Sequence, residues 1–577
     1  TASNNTAVGY QALLSNTTGI QNTALGSVSL DANTTGQDNV AIGTSALGKN
    51  ISGNNNTAVG RLALVENTTA SNNTACGFEA LRFNTTGVSN VAVGANALDS
   101  NTTGGANTAL GRDALQSNTT AIYNTGLGRN ALGANTTGTQ NTAVGALALD
   151  ANTTADNNTA VGYKALTANT TGTDNLAFGG NALLANTTGS SNTAVGKGAL
   201  TANTTADNNT GIGVQALTSN TTADHNTAVG RSALALNTTG ASNTGVGFKA
   251  LEANTTGTGN VAVGTKALDA NTTANDNTAI GKDSLGKNTT GISNTAVGAH
   301  ALELNTIGNN NVAVGFKVLD ANTSGLRNTA IGTSALGKNT TADDNVAVGT
   351  QALLNNTTGE DNTALGSFTL SLNTTAHNNT AVGKSALSAN TTGTANTSLG
   401  VFSLQNNTTA DSNTAVGRSA MAANTTGTQN VAVGSLALDA NTTGSDNVAI
   451  GKDSLGQNTT ADSNVALGFQ AAARINGNRS VSIGYQAMLG TAGGVRSAHS
   501  NVAIGYHALY LAFSANKNVA LGYAAGNSIS HGENNIVIGY NADASSANVD
   551  NEITLGDTNI ATLRCNVQTI SSLSDAR

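Results

Sequence analysis

Apolar and polar residues recur along this chain with a fixed period of 17. From Asn5 to Ser463 the pattern Asn-Thr-Ala-Val-Gly-x-x-Ala-Leu-x-x-Asn-Thr-Thr-Gly-x-x repeats without insertion, giving 27 copies, the first being Asn5 to Gln21. Counting unit positions from the leading Asn, position 9 is Leu in 26 copies, with Met421 the exception. Position 4 is always apolar, including Cys76 and Phe178. Positions 1 to 5 alternate with a period of two and carry β-branched residues, which predicts a short strand. Positions 7 to 10 predict a second extended piece centred on Ala-Leu. Gly at position 5 and Asn at positions 1 and 12 mark corners, because these residues tolerate left-handed backbone best. Position 15 is Gly in 17 copies and Ala in 10, so it rarely needs a positive φ.

An unbroken repeat of this kind predicts a solenoid, each unit forming one coil that stacks on the next. The fold class expected is all-β: a parallel β-solenoid, or β-roll, with like positions about 4.8 Å apart and 27 coils rising roughly 130 Å. Leu at position 9 and the aliphatic residue at position 4 are expected to form internal columns, and aligned Asn side chains to bond from coil to coil. Position 3 is Ala almost throughout, relaxed only to Gly126, Gly211, Gly245 and Ser398. Opposite position 4 in strand alternation, it is expected to point outward. A small residue there implies close approach of another chain, most economically in a homotrimer; the competing explanation is a tight internal corner.

Composition agrees with a repeat array. The 577 residues include 68 Gly, no Pro and no Trp, with 3% aromatic and 10% charged residues. Disorder would give a similar composition, but a disordered tract has no reason to keep apolar residues in phase. The net charge of −8 argues against a nucleic-acid partner. No run of about 18 apolar residues predicts a membrane span. Thr1 to Asn4 match Thr69 to Asn72 and fit unit positions 14 to 17, so the chain opens inside a coil. We therefore expect the natural protein to extend further N-terminally. Cys76 at position 4 is expected to be a small buried hydrophobe, and Cys565 a residue that could pair between chains.

The repeat resembles the Asn-Ser-Val-Ala-Ile-Gly-x-x-Ser unit of trimeric autotransporter adhesin heads. The nearest copies are Ser480 to Gly484, Asn501 to Gly505, Asn518 to Gly522 and Asn535 to Gly539. This resemblance implies a left-handed parallel β-roll with three chains about one axis. The C-terminal stretch Asn551 to Asn559, followed by Thr569 to Arg577, resembles the lead-in to an endosialidase-type intramolecular chaperone. Such chaperones follow phage and viral tail fibres, so the resemblance implies a trimeric fibre and a processing junction between Ser574 and Asp575.

Function has few places to reside. The six histidines show no metal-ligand spacing, no catalytic constellation stands out, and no cofactor motif is present, so an enzyme is not expected. Asn-x-Thr sequons follow from the Asn column of the coil. The Thr-Thr pair at positions 13 and 14 gives at most one outward threonine column, short of the two that an ice-binding face requires.

After Ser463 the coil starts fall at Asn464, Ser480, Asn501, Asn518, Asn535 and Asn551, spaced 16, 21, 17, 17 and 16 residues apart. The longest step adds a loop from Gly490 to Ser500. Five of the eight tyrosines lie here. The organisation expected is a regular shaft over 1–463, irregular head-like coils over 464–556 and a neck over 557–577. The irregular coils either cap the solenoid or contact a receptor, a glycan being one candidate. The candidate contact residues are Tyr485, Arg496, His499, Tyr506, Tyr510, Phe513, Tyr523 and Tyr540. Together these features point to an extracellular attachment fibre on a virion or cell surface; the alternative is a structural filament or spacer without a specific receptor.

Overall fold

Each repeat contributes one three-residue strand, at positions 2 to 4. Thr or Val, then Ala, then an aliphatic residue keep this segment extended, and the invariant glycine at position 5 ends it. The structure is a computed structural model that describes residues 2–491, 493, 496–562 and 564. Two compact units divide the chain, Thr1–Ile307 and Gly308–Arg577. The first holds eighteen strands, β1 (Thr6–Val8) to β18 (Thr295–Val297); the second holds fifteen, β19 (Val312–Val314) to β33 (Ile553–Leu555). Within each unit every strand pairs in parallel with the next in sequence, like positions facing like positions. Both units are therefore parallel β-solenoids of 17-residue coils, and no helix occurs among the described residues.

The coil from Asn260 to Asp276 represents the rest. Val261 N–H donates to Asn277 O (2.8 Å) and Gly264 N–H to Val246 O (2.8 Å), which sets the strand between its neighbours. The second extended piece expected at positions 7 to 10 is instead a turn. Lys266 and Leu268 adopt φ of 56° and 53°, and Asp276 at position 17 adopts 58°. Every coil of the repeat region bends at these same three positions. The left-handed corners thus fall on ordinary residues rather than on the asparagines. Each costs about 1 kcal/mol of backbone strain, and each is held by intercoil bonds such as Leu268 N–H to Ser284 O (3.0 Å). Gly264 does carry the expected positive φ (141°), and a Cβ there would lie 2.5 Å from the Gly281 carbonyl oxygen.

The interior is narrow. It is lined by positions 1, 3, 8, 9, 12 and 15: two Asn, two Ala, one Leu and one Gly or Ala. Leu at position 9 is buried as expected from Leu30 onward, worth about 1.5–3 kcal/mol per coil. The two remaining expectations are reversed. Position 3 points inward and is buried in every strand except the first (Ala7) and the last (Thr554). Position 4 points outward, half-exposed or exposed throughout. Ala at position 3 is small because the Leu column fills the space beside it: at Gly126 an added Cβ would lie 3.3 Å from Leu115 Cγ. Position 3 is thus internal, though in mid-strand rather than at a corner, and Cys76 at position 4 is exposed rather than buried.

The asparagines form two buried ladders. Asn271 Nδ2 donates to Asn254 Oδ1 (2.8 Å) and to Ala274 O (3.1 Å). Asn260 donates to Asn243 Oδ1 through both N–H (3.0 Å) and Nδ2 (3.1 Å), and its Nδ2 also reaches Ala274 O (2.8 Å). One carbonyl at position 15 thus ties both ladders together in most coils; Asn209 and Asn226 instead reach carbonyls of the preceding coil. The position-12 ladder ends at Asn458, whose Oδ1 is buried without a partner, because the next coil offers Ile475 there. Ala512 and Ile529 continue that column as apolar residues. The position-1 ladder runs on through Asn464, Ser480, Asn501, Asn518 and Asn535, with the Ser480 hydroxyl accepting in place of an asparagine amide. Its last member is Glu552, whose N–H donates to Asn535 Oδ1 (2.8 Å). The final step is therefore 17 residues, and the coil start expected at Asn551 lies one residue later.

Replacing Asn254 with Ala removes three hydrogen bonds and leaves Asn237 Oδ1 without its donor. We expect a loss of about 2–4 kcal/mol in denaturant unfolding, against about 0.5 kcal/mol or less for Thr256→Ala on the exposed corner. Equal effects would contradict the ladder's role. Gly264→Ala is expected to cost at least about 2 kcal/mol, and a thermal midpoint like that of the parent would show that the close approach is tolerated.

Candidate attachment surface

Position 6 follows the glycine that ends each strand, and its side chain emerges at the edge of the outward face. In the repeat region an aromatic residue occurs there singly, as Tyr10, Phe78, Tyr163, Phe248 or Phe316. In the last coils five aromatics take this position in succession: Phe469, Tyr485, Tyr506, Tyr523 and Tyr540. The coil rise of about 4.8 Å is close to the separation of offset-stacked rings. The rings accordingly form one ladder, with centroids 5.2, 5.2, 4.9 and 5.0 Å apart and planes within 18° of parallel.

A polar ladder runs beside it at position 7. Gln486 Nε2 donates to Gln470 Oε1 (2.7 Å), which leaves Gln486 Oε1 to accept from His507 Nε2–H (2.8 Å). His507 stacks on Tyr506 (4.0 Å) and meets Tyr510 at 4.4 Å. Burial holds this imidazole below its ordinary pKa and favours the neutral ring. Four of the residues expected to contact a receptor, Tyr485, Tyr506, Tyr523 and Tyr540, are thus brought together, with Tyr510 attached through His507.

The other three lie apart from that ladder. The Arg496 guanidinium sits over the Phe513 ring at 4.0 Å, and Phe513 stacks on His531 at 5.0 Å. His499 Nδ1 accepts from Asn478 N–H (2.9 Å), and its own N–H donates to Asn516 Oδ1 (2.9 Å). That pattern fastens coils together, as Asp207 does in accepting from Ser190 N–H. Ser574, Asp575 and Cys565 lie outside the described residues. The sequence reading missed Phe469 and His507, although a signal was available: an aromatic directly after the strand-ending glycine in five consecutive coils.

Other chemistry is sparse. No group of three or more His, Cys, Asp or Glu side chains among the described residues could hold a metal ion. The sequon asparagines at position 12 are fully buried from Asn33 onward. Thr at position 13 donates its hydroxyl to the next coil, as Thr255 Oγ1 does to Thr272 O (2.9 Å), which leaves only position 14 of this pair facing outward. A small cavity of about 250 Å³ lies where the repeat changes, lined by Asp439, Asp453, Gln457, Gln470 and Arg474 among others. Burial pushes the Asp439 carboxyl up to about 6; hydrogen bonds from backbone amides oppose this, and the charge on Asp453 adds to it.

Since the folded-state pKa of Asp439 exceeds its unfolded value, the folded chain binds the proton more tightly. The group's contribution to stability is favourable at low pH and is lost as pH rises from about 4 through about 6. Asp439→Asn is therefore expected to raise the thermal midpoint at pH 7.5 relative to the parent and to give no such gain at pH 4. An equal difference at both pH values would contradict this assignment. No protein-family model matches this chain, and no curated protein matches it.

Proposed function

We propose that this chain forms part of a homotrimeric extracellular fibre, of the tail-fibre or adhesin kind, that attaches a virion or cell to a surface receptor. The observation that carries this reading is the outward column at position 4. In all 33 strands it is Val, Leu, Ile, Phe or Cys, without one charged or polar residue. Position 2 beside it is Thr, Val, Leu or Ile throughout. A solvent-facing sheet normally alternates apolar inside with polar outside, and surface apolar patches of this extent mark interaction sites.

Each half-exposed aliphatic side chain leaves on the order of 30–60 Å² in reach of a partner. The eighteen strands of the first unit thus offer roughly 500–1,000 Å², comparable to the ~800 Å² per partner of a standard interface. A second copy of the same chain matches such a face coil for coil, and three copies about an axis leave no apolar edge unpaired. The support for a homotrimer therefore moves from position 3 to position 4. The aromatic coils near the C-terminus supply the attachment surface, and three copies on one fibre raise avidity through effective concentration.

Placing charge on the column tests this directly. Val246→Asp, Val263→Asp and Ile280→Asp together are expected to convert the assembly to single chains in size-exclusion light scattering while the β circular dichroism remains. Thr239→Asp, Thr256→Asp and Thr273→Asp, on the exposed corner, are expected to leave the mass unchanged. If the first set keeps the parent's mass, assembly does not use this face.

A further inference from the structure

The aromatic ladder determines which of its rings a ligand can stack on. A ring held between two others offers only its edge, so Tyr485, Tyr506 and Tyr523 have both faces covered. At the proximal end Lys452 Nζ lies 5.8 Å from the centre of the Phe469 ring and covers that face. At the distal end no ring follows Tyr540, because the next coil has Asp557 at position 6. Tyr540 is accordingly 64% exposed, against 40–45% for the three tyrosines before it.

Asn541, the residue after that ring, and Asp557, at the ring's own position one coil on, line an open cavity of about 520 Å³ together with Asp543, Thr554, Gly556 and Thr558. Both carboxylates are held in place by local donors. Asp557 accepts from Asn559 through N–H (3.0 Å) and Nδ2 (2.9 Å), and Asp543 Oδ1 accepts from Ala544 N–H (3.0 Å). A carboxylate has about four acceptor sites, so each retains capacity for further donors. The lining contains no Lys or Arg.

We propose that Tyr540 and this cavity form a binding site for a neutral saccharide. The C–H face of a pyranose would lie on the free ring of Tyr540. Its hydroxyls would donate to Asp543 and Asp557, and the Asn541 amide and the hydroxyls of Thr554 and Thr558 would complete the polar contacts. Two carboxylates without a cation exclude sialylated or sulfated sugars by like-charge repulsion and unpaired burial. This assignment rests on the attachment reading and gives that reading a ligand class.

The test uses the full chain with galactose, glucose, mannose and N-acetylglucosamine, and with sialyllactose as the anionic comparator, in saturation-transfer NMR. At least one neutral sugar is expected to bind at millimolar concentration. Tyr540→Ala is expected to weaken it at least tenfold, while Tyr540→Phe stays within about twofold. Asp557→Asn guards against loss of fold and is expected to weaken binding with the β circular dichroism intact. Binding that survives Tyr540→Ala, binding of sialyllactose alone, or no binding of any neutral sugar would overturn the site. Adhesion of the protein to cells separates the two proposals. Adhesion that Tyr540→Ala leaves unchanged removes the saccharide site and spares attachment, whereas a parent protein that adheres to no cell removes both.

Discussion

Two buried columns of asparagine hold this fold in register. The interior of a coil is too narrow for a conventional hydrophobic core, holding one Leu and two Ala with the asparagines. Burying two primary amides per coil would be strongly unfavourable if they lacked partners. Here the partners come from the coil before, the coil after and one shared carbonyl at position 15. Both ladders run together through the coils from Asn5 to Ser463, where the sequence has no insertion. Where the position-12 ladder stops at Asn458, the coil lengths change at once.

The same constraint explains the residues at the corners. With the strand and both ladders fixed, the chain must turn sharply at positions 7, 9 and 17, and it does so through left-handed residues of ordinary type. Position 5 alone demands glycine, since its Cβ would strike the carbonyl of the next coil. Leu at position 9 accepts an unfavourable φ because that conformation delivers its side chain to the interior.

Much of this was legible in the sequence. Period, fold class, the buried Leu column and the Asn ladders follow from residues kept at fixed phase. Strand polarity was not legible, because Ala at position 3 and Val at position 4 are both apolar and alternation alone does not say which faces inward. The choice is made by space: the interior beside Leu115 has room only for something the size of Ala, as Gly126 shows. The Asn551 start misled for a related reason, since Glu552 occupies the ladder position with its backbone N–H alone. At the candidate attachment surface, the aromatics were visible in sequence but their division was not. Ring stacking depends on identical coil phase, which Tyr485 and Tyr540 share and Tyr510 and Phe513 do not.

The outward aliphatic column connects the fold to the proposed assembly, because it leaves an apolar residue half-exposed or exposed in strand after strand. Cys76 lies within it and reports on it without disturbing it. The most direct measurement is interchain cross-linking of the native protein at Cys76 by a short bis-maleimide, in a Cys565→Ser background. Packing of copies through this column predicts covalent pairs of chains on a denaturing gel, lost when Val59 and Val93 on the flanking coils are changed to Asp. Labelling of Cys76 by a mono-maleimide at the rate of a free thiol, with no cross-linked chains, would contradict it.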